Sequence, residues 1–138
     1  MPDRRLELIL GPEALSICRL PPGVAIPEWA QTGIFVAITR TSEELSIICP
    51  SPSVPAGVPS NGGWRAVKVQ GPWTFSEVGV LRAVVDPLTD AGISLLAVCT
   101  FDTDYVLVRQ AELTAALQAL KGAGHHVADQ ISIRKQND

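Results

Sequence analysis

Two aspartates are the first residues to test for chemistry: Asp102 and Asp104 flank Thr103 and directly follow the apolar run Ile93 to Thr100. An Asp-x-Asp placed after an apolar strand can present a nucleophile and an acid for phosphoryl transfer. No further acidic pair follows it here to hold the magnesium ion that such chemistry requires. As turn residues, the two aspartates would make local bonds to their own backbone. As binding residues they offer more. A carboxylate at a hairpin tip, beside the start of a helix, can hold an ammonium or guanidinium group, while the free N–H groups of that helix hold a carboxylate. Those two ends together describe an amino acid.

The remaining candidates for catalysis fail on spacing. His125 and His126 are the whole histidine supply; neighbours on a strand point to opposite faces, so they cannot clamp one metal, and a solvated turn and strand start is expected of them. Lys121-Gly122-Ala123-Gly124 lacks the third glycine of a dinucleotide fingerprint and follows a helical pattern rather than a strand, which makes it a helix terminus. No Gly-x-Ser-x-Gly elbow or P-loop occurs. Cys99 has no upstream histidine to activate it. The residues therefore predict no metal, no cofactor and no enzyme.

Composition narrows the partners. With 11 basic and 14 acidic residues the formal net charge is −3, so no broad basic surface exists for a nucleic acid or an anionic membrane. No apolar run approaches the roughly 20 residues of a membrane helix, and Asp3 and Glu7 interrupt what would be a signal core. Cys18, Cys49 and Cys99 are odd in number, widely spaced and set among alternating apolar residues. They read as buried thiols in a reducing compartment, so a cytoplasmic location is expected.

The elements that position these residues are clearest in the second half. Trp64 to Gln70 alternates as a strand and stops at Gly71-Pro72. A helix follows with Val78, Leu81, Val85 and Leu88 at helical spacing, Thr74 or Ser76 as N-cap, and Pro87 as a bend. Ile93 to Thr100 and Tyr105 to Arg109 form a hairpin over the loop Phe101 to Asp104. Leu113, Ala116, Leu117 and Leu120 then mark a second helix, and His126 to Ile133 a last strand. The order βαββαβ is ferredoxin-like. The first half repeats it in degenerate form, with strands near Leu6–Leu10, Leu15–Leu20, Ile34–Arg40 and Leu45–Cys49, a short helical turn at Glu28–Gln31, and a Pro- and Gly-rich linker from Ser51 to Gly63. The expected fold is α+β, two such modules in tandem at residues 1–62 and 63–138, with exchange of strands between them left open. Both alternate sets of Ile93 to Thr100 are apolar, so both faces of that sheet should be covered, by the sister module or by a second chain.

Several segments taken together resemble one family. Gly71-Pro72, Thr74 to Leu81, Asp86 to Ser94 and Thr100 to Val108, with a looser match at Cys18 to Pro22, Pro27 to Trp29 and Thr39 to Ser46, are similar to the tandem ACT-domain proteins, in the branch that includes the cytosolic arginine sensors. The resemblance implies a non-enzymatic, amino-acid-binding regulatory or sensor protein. Its ligand loop would be Ser76, Glu77, Val78, Gly79 and Val80 and its hairpin contacts Thr100, Phe101 and Asp104. In these roles Gly79 lets the backbone approach, Thr100 supplies hydrogen bonds, Phe101 forms an apolar wall, and Glu77 with Asp104 favours arginine or lysine. The sensors resemble two such tandems fused, so a single tandem implies a homodimer. The alternative is a protein-interaction module of the same fold that binds no small molecule.

Overall fold

The structure, a computed structural model, describes residues 5–71, 73 and 78–129. In chain order these form β1 (Glu7–Leu10), β2 (Leu15–Leu20), β3 (Ala37–Arg40), β4 (Leu45–Pro50), β5 (Ser60–Val69), α1 (Val80–Asp90), β6 (Leu95–Cys99), β7 (Asp104–Arg109), α2 (Leu113–Gly122) and β8 (His126–Asp129). This is a mixed α+β fold. The chain divides into two compact units: Glu13–Trp64, and Met1–Pro12 with Arg65–Asp138.

In the unit Glu13–Trp64 the strands run in the order β3-β4-β2-β5, paired antiparallel. Cys18, Leu45, Ile47 and Cys49 share one face and bury with Ala30 of a short 3-10 turn at Glu28–Ala30. Strand β3 starts later than the expected Ile34, because the backbone N–H groups of Ile34 and Phe35 both donate to the carboxylate of Glu13, each at 3.0 Å, instead of to a strand. The expected linker ends early. Ser60 to Gly63 belongs to β5, with Asn61 opposite Ile17 and Ser60 opposite Cys18. The register shifts between Leu15 and Ile17, a β-bulge, and Gly63 at φ 79° takes the positive angle there. The Nε1–H of Trp64 donates across the bulge to Asn61 Oδ1 at 3.1 Å. Pairing with β2 thus overrides the turn preference of Ser-Asn-Gly-Gly.

The other unit contains the expected order β5, α1, β6, β7, α2, β8, with its strands arranged β6-β7-β5-β1-β8. The N-terminal strand β1 lies between β5 and β8, antiparallel to the first with Leu8 opposite Val69, and parallel to the second with Leu8 opposite Val127. The sequence division placed β1 with residues 1–62; contacts group it with the second half of the chain. Leu8, Val67, Val69, Val106 and Val108 present one sheet face to Val80, Val84 and Leu88 of α1 and to Ala116 and Leu120 of α2, all buried.

Three expectations are corrected here. The apolar stripe of α1 is Val80, Val84 and Leu88, with Leu81 packed at its edge; of the expected Val78, Leu81, Val85 and Leu88, only Leu88 is fully buried, and Val78 precedes the helix and is 78% exposed. The cause is the helix start, since the N-cap is Gly79 at φ 85° with no side-chain cap, and the expected caps Thr74 and Ser76 lie outside the described residues. Cys99 is exposed, unlike Cys18 and Cys49, because the core covers Leu95 on its face of β6 but leaves Ala97 and Cys99 open. His125 is buried rather than solvated, held by two hydrogen bonds from distant parts of the chain. No helix among the described residues is long and apolar enough to cross a membrane.

Candidate functional site

The β6–β7 turn is built by its two threonines. The backbone N–H of Thr100 donates to the carbonyl of Thr103 at 2.8 Å. The Thr100 hydroxyl donates to the same carbonyl at 2.9 Å and accepts from the Thr103 N–H at 3.2 Å. Thr103 is buried, and its hydroxyl donates to the Val69 carbonyl, which ties the turn to β5. The Trp73 N–H donates to the Asp102 carbonyl at 2.8 Å, so the chain leaving β5 is fastened to the turn as well. That bond occupies the Asp102 carbonyl.

Facing this turn is the start of α1. Gly79 adopts a left-handed conformation that reverses the chain into the helix, and the Ala83 N–H donates back to its carbonyl at 3.1 Å. The N–H groups ahead of Ala83 have no intrahelical acceptor, as at any helix start. Between the two lies a cleft of about 300 Å³, with Gly79, Val80, Leu81 and Arg82 on one wall, Cys99 to Asp104 on the other, and Trp73 beside them. A second cleft of about 270 Å³, lined by Lys68, Gly71, Asp102 and Thr103, shares Asp102 and Thr103 with the first.

The charges are mixed. Arg82 Nε donates to Asp86 Oδ2 at 2.8 Å, an i,i+4 pair on the exposed side of α1, and this bond further favours the charged guanidinium. On the hairpin wall stand Asp102 and Asp104. Asp104 stands opposite Cys99 in the strand register, and its carboxylate, by favouring the protonated thiol, raises the Cys99 pKa from its ordinary value. Phe101, 78% exposed, forms the apolar rim. Among the described residues no cluster of three His, Cys, Asp or Glu side chains could hold a metal.

Of the residues singled out in the sequence, Gly79, Val80, Thr100, Phe101 and Asp104 come together in this cleft; Val78 lies next to it without lining it, and Ser76 and Glu77 lie outside the described residues. Two roles change. The Thr100 hydroxyl is spent inside the turn, and Gly79 answers to its backbone angle, since a Cβ there meets no atom within 4 Å. Asp102, weighed with Asp104 from the sequence, lines the same wall; Cys99 was read as a buried thiol, and Trp73, Leu81, Arg82 and Thr103 were missed. A signal existed for Arg82: three residues beyond a glycine that opens a helix, its side chain belongs to the same first turn.

Comparison with known proteins agrees with this architecture. A family model describing an ACT domain matches residues 60–122, and a second, describing an N-terminal domain, matches residues 13–57. No curated protein matches the chain. Among solved structures, protein Atu0741 from Agobacterium tumefaciens is 40% identical over 92% of this chain and 95% of its own, with a TM-score of 0.87. Protein VC0802 from Vibrio cholerae, described as of unknown function and a possible transport protein, is 22% identical over 86% of this chain and 89% of its own, with a TM-score of 0.69. The regulatory subunit of aspartate kinase from Thermus thermophilus is 12% identical over 86% of this chain and 93% of its own, with a TM-score of 0.55. The last two share the fold alone. The ACT domain is a non-catalytic regulatory and ligand-binding unit. By its match to Atu0741 along nearly its whole length, the chain, which carries an ACT-domain match over residues 60–122, belongs to the family of that protein.

Proposed function

We propose that the chain is an amino-acid-binding regulatory protein, a tandem of ACT-type modules akin to the arginine-sensor branch, with its ligand held between the start of α1 and the β6–β7 turn. The observation that carries this reading is the pairing of unlike charges across one small cleft: Asp102 and Asp104 on one wall, Arg82 and the open N–H groups of α1 on the other. An α-carboxylate suits the helix start and Arg82; an ammonium suits the carboxylates. The carboxylates outnumber Arg82, whose guanidinium is already shared with Asp86. That imbalance favours a ligand with a second positive charge, arginine or lysine.

A thermal-shift screen against the twenty amino acids tests the reading, since a ligand that binds only the native state raises its midpoint. Arginine or lysine should give the largest rise, and Asp104→Ala or Glu77→Ala should weaken binding by about 2–5 kcal/mol. A neutral amino acid binding best would reject the cation and keep the cleft. No shift at millimolar concentration would reject ligand binding itself.

A second reading rests on a different observation. Strand β6, Leu95–Cys99, carries no charge and pairs only with β7 among the described residues, and the apolar Val78 and Phe101 are exposed. An uncharged edge of this kind is a template for another strand. It favours a protein-interaction module, with a homodimer as the expected assembly in the cytoplasm. Sedimentation with and without the best amino acid separates the cases: a dimer is expected, and a monomer at tens of micromolar that binds with full affinity would reject the dimer.

A further inference from the structure

His125 stands between α2 and β8 with 5% of its surface exposed, and the cleft makes no use of it. Both ring nitrogens are committed. Nδ1 lies 3.1 Å from the backbone nitrogen of Leu6, which can only donate, and Nε2 lies 2.8 Å from the carbonyl oxygen of Ala83, which can only accept. These partners assign the Nε2–H tautomer. The backbone N–H of His125 donates to the Leu120 carbonyl at 3.1 Å. One residue thus joins the entry to β1, the body of α1 and the end of α2.

The bond to Ala83 has a cause in the sequence. In an α-helix the Ala83 carbonyl would accept the N–H of residue 87, and residue 87 is a proline, which has none. The imidazole supplies the donor that Pro87 withholds. Ala83 directly follows Arg82, and its own N–H closes the first turn of α1 on Gly79. The carbonyl that leans on His125 thus belongs to the residue whose N–H closes the turn lining the cleft, one peptide further along the helix.

We propose that His125 is a latch that makes the docking of β1 and the closure of the first turn of α1 a single event. When Leu6 leaves, Nδ1 loses its donor, the ring is free to turn, and the Ala83 carbonyl loses its substitute partner. By linkage, whatever holds the first turn of α1 in place also holds β1, whichever ligand the cleft takes.

Amide hydrogen exchange on the full chain tests this, comparing wild type, His125→Leu, Pro87→Ala and the double variant. His125→Leu, which removes both ring partners, should speed exchange at Leu6 and at Ala83 together, by about fivefold or more. Pro87→Ala restores the missing N–H, so the double variant should recover protection in α1 while Leu6 stays fast. A histidine that merely contributed stability would lower protection uniformly, with no selective recovery. Unchanged exchange at Ala83 in His125→Leu, or no recovery in the double variant, would overturn the latch. Should His125→Leu fail to fold, Pro87→Ala alone decides. In mild denaturant Leu6 and Ala83 should open together in wild type and separately in Pro87→Ala; the same pattern in both proteins would refute the proposal.

Discussion

Replacing Gly79 by alanine isolates one physical term at the wall of the cleft. Gly79 sits at φ 85° and ψ 1°, and a Cβ built there meets no atom within 4 Å. No clash opposes the substitution, so its cost is the left-handed backbone itself, about 1–2 kcal/mol for a residue with a Cβ. Alanine also restricts the unfolded chain, which returns about 0.4–1 kcal/mol. The net expectation is a loss of about 1 kcal/mol. Gly122 supplies the control: it ends α2 without a positive φ, and a Cβ there also meets no atom within 4 Å. Gly122→Ala should therefore stabilise, by about 0.5–1 kcal/mol. Urea unfolding measures both, with the slope unchanged and the midpoints moving in opposite directions. Gly79→Asn should lie between Gly79→Ala and wild type, because asparagine tolerates the left-handed region. If Gly79→Ala were as stable as wild type, the helix would not start on a left-handed residue, and the wall built on it would be wrong.

Three further outcomes are expected. Val84 is fully buried in α1, so Val84→Ala should cost about 2–3 kcal/mol in chemical unfolding while Val78→Ala stays within about 0.5 kcal/mol of wild type; the reverse order would restore the helix face expected from sequence. At pH 8 an aromatic disulfide reagent should label Cys99 in the native protein and reach Cys18 and Cys49 only on unfolding. Asp104→Asn should speed the Cys99 reaction several-fold, since the carboxylate that holds the thiol protonated is gone; an unchanged or slower rate would place Asp104 elsewhere. Burial, and next the neighbouring Cys49, pushes the Cys18 thiol up to about 11 from an ordinary 9.0. Above pH 9 the unfolded chain therefore loses a proton that the folded chain keeps, so the stability is fully present below pH 9 and falls as the pH rises toward 11. Stability measured from pH 8 to 10.5 should fall less steeply in Cys18→Ala than in wild type; equal slopes would refute the assignment.

How much of this was legible depended on where each residue's partners lie. The βαββαβ order, the limits of β2 and the buried face of α2 follow from repeats of two or 3.6 residues, which local sequence carries. The phase of α1 was misread because valine and leucine populate more than one of its faces, and the choice among them was made by a left-handed glycine. Ser60 to Gly63 looks like a turn by composition and is a strand because β2 pairs with it. His125 was read as solvated because its partners, Leu6 and Ala83, are 119 and 42 residues away. In the cleft, the family resemblance pointed to Gly79, Val80, Thr100, Phe101 and Asp104, whereas Arg82 and Cys99 join them only through the closing of the first turn of α1 and the register of β6 against β7.

By itself the sequence determined the class of the molecule. Its apolar share is enough for a core, and its second half carries the periodicities of an α+β module. These properties are sums or local repeats, and they hold without knowledge of any long-range contact. Tertiary structure decided the insertion of β1 between β5 and β8, the burial of His125, and the meeting of Arg82 with Asp102 and Asp104. Each of these depends on which distant backbone groups satisfy one another. Pro87 shows why: it leaves a carbonyl without its local donor, and the chain supplies that donor from a histidine 42 residues from Ala83, a choice among distant donors that no local pattern records.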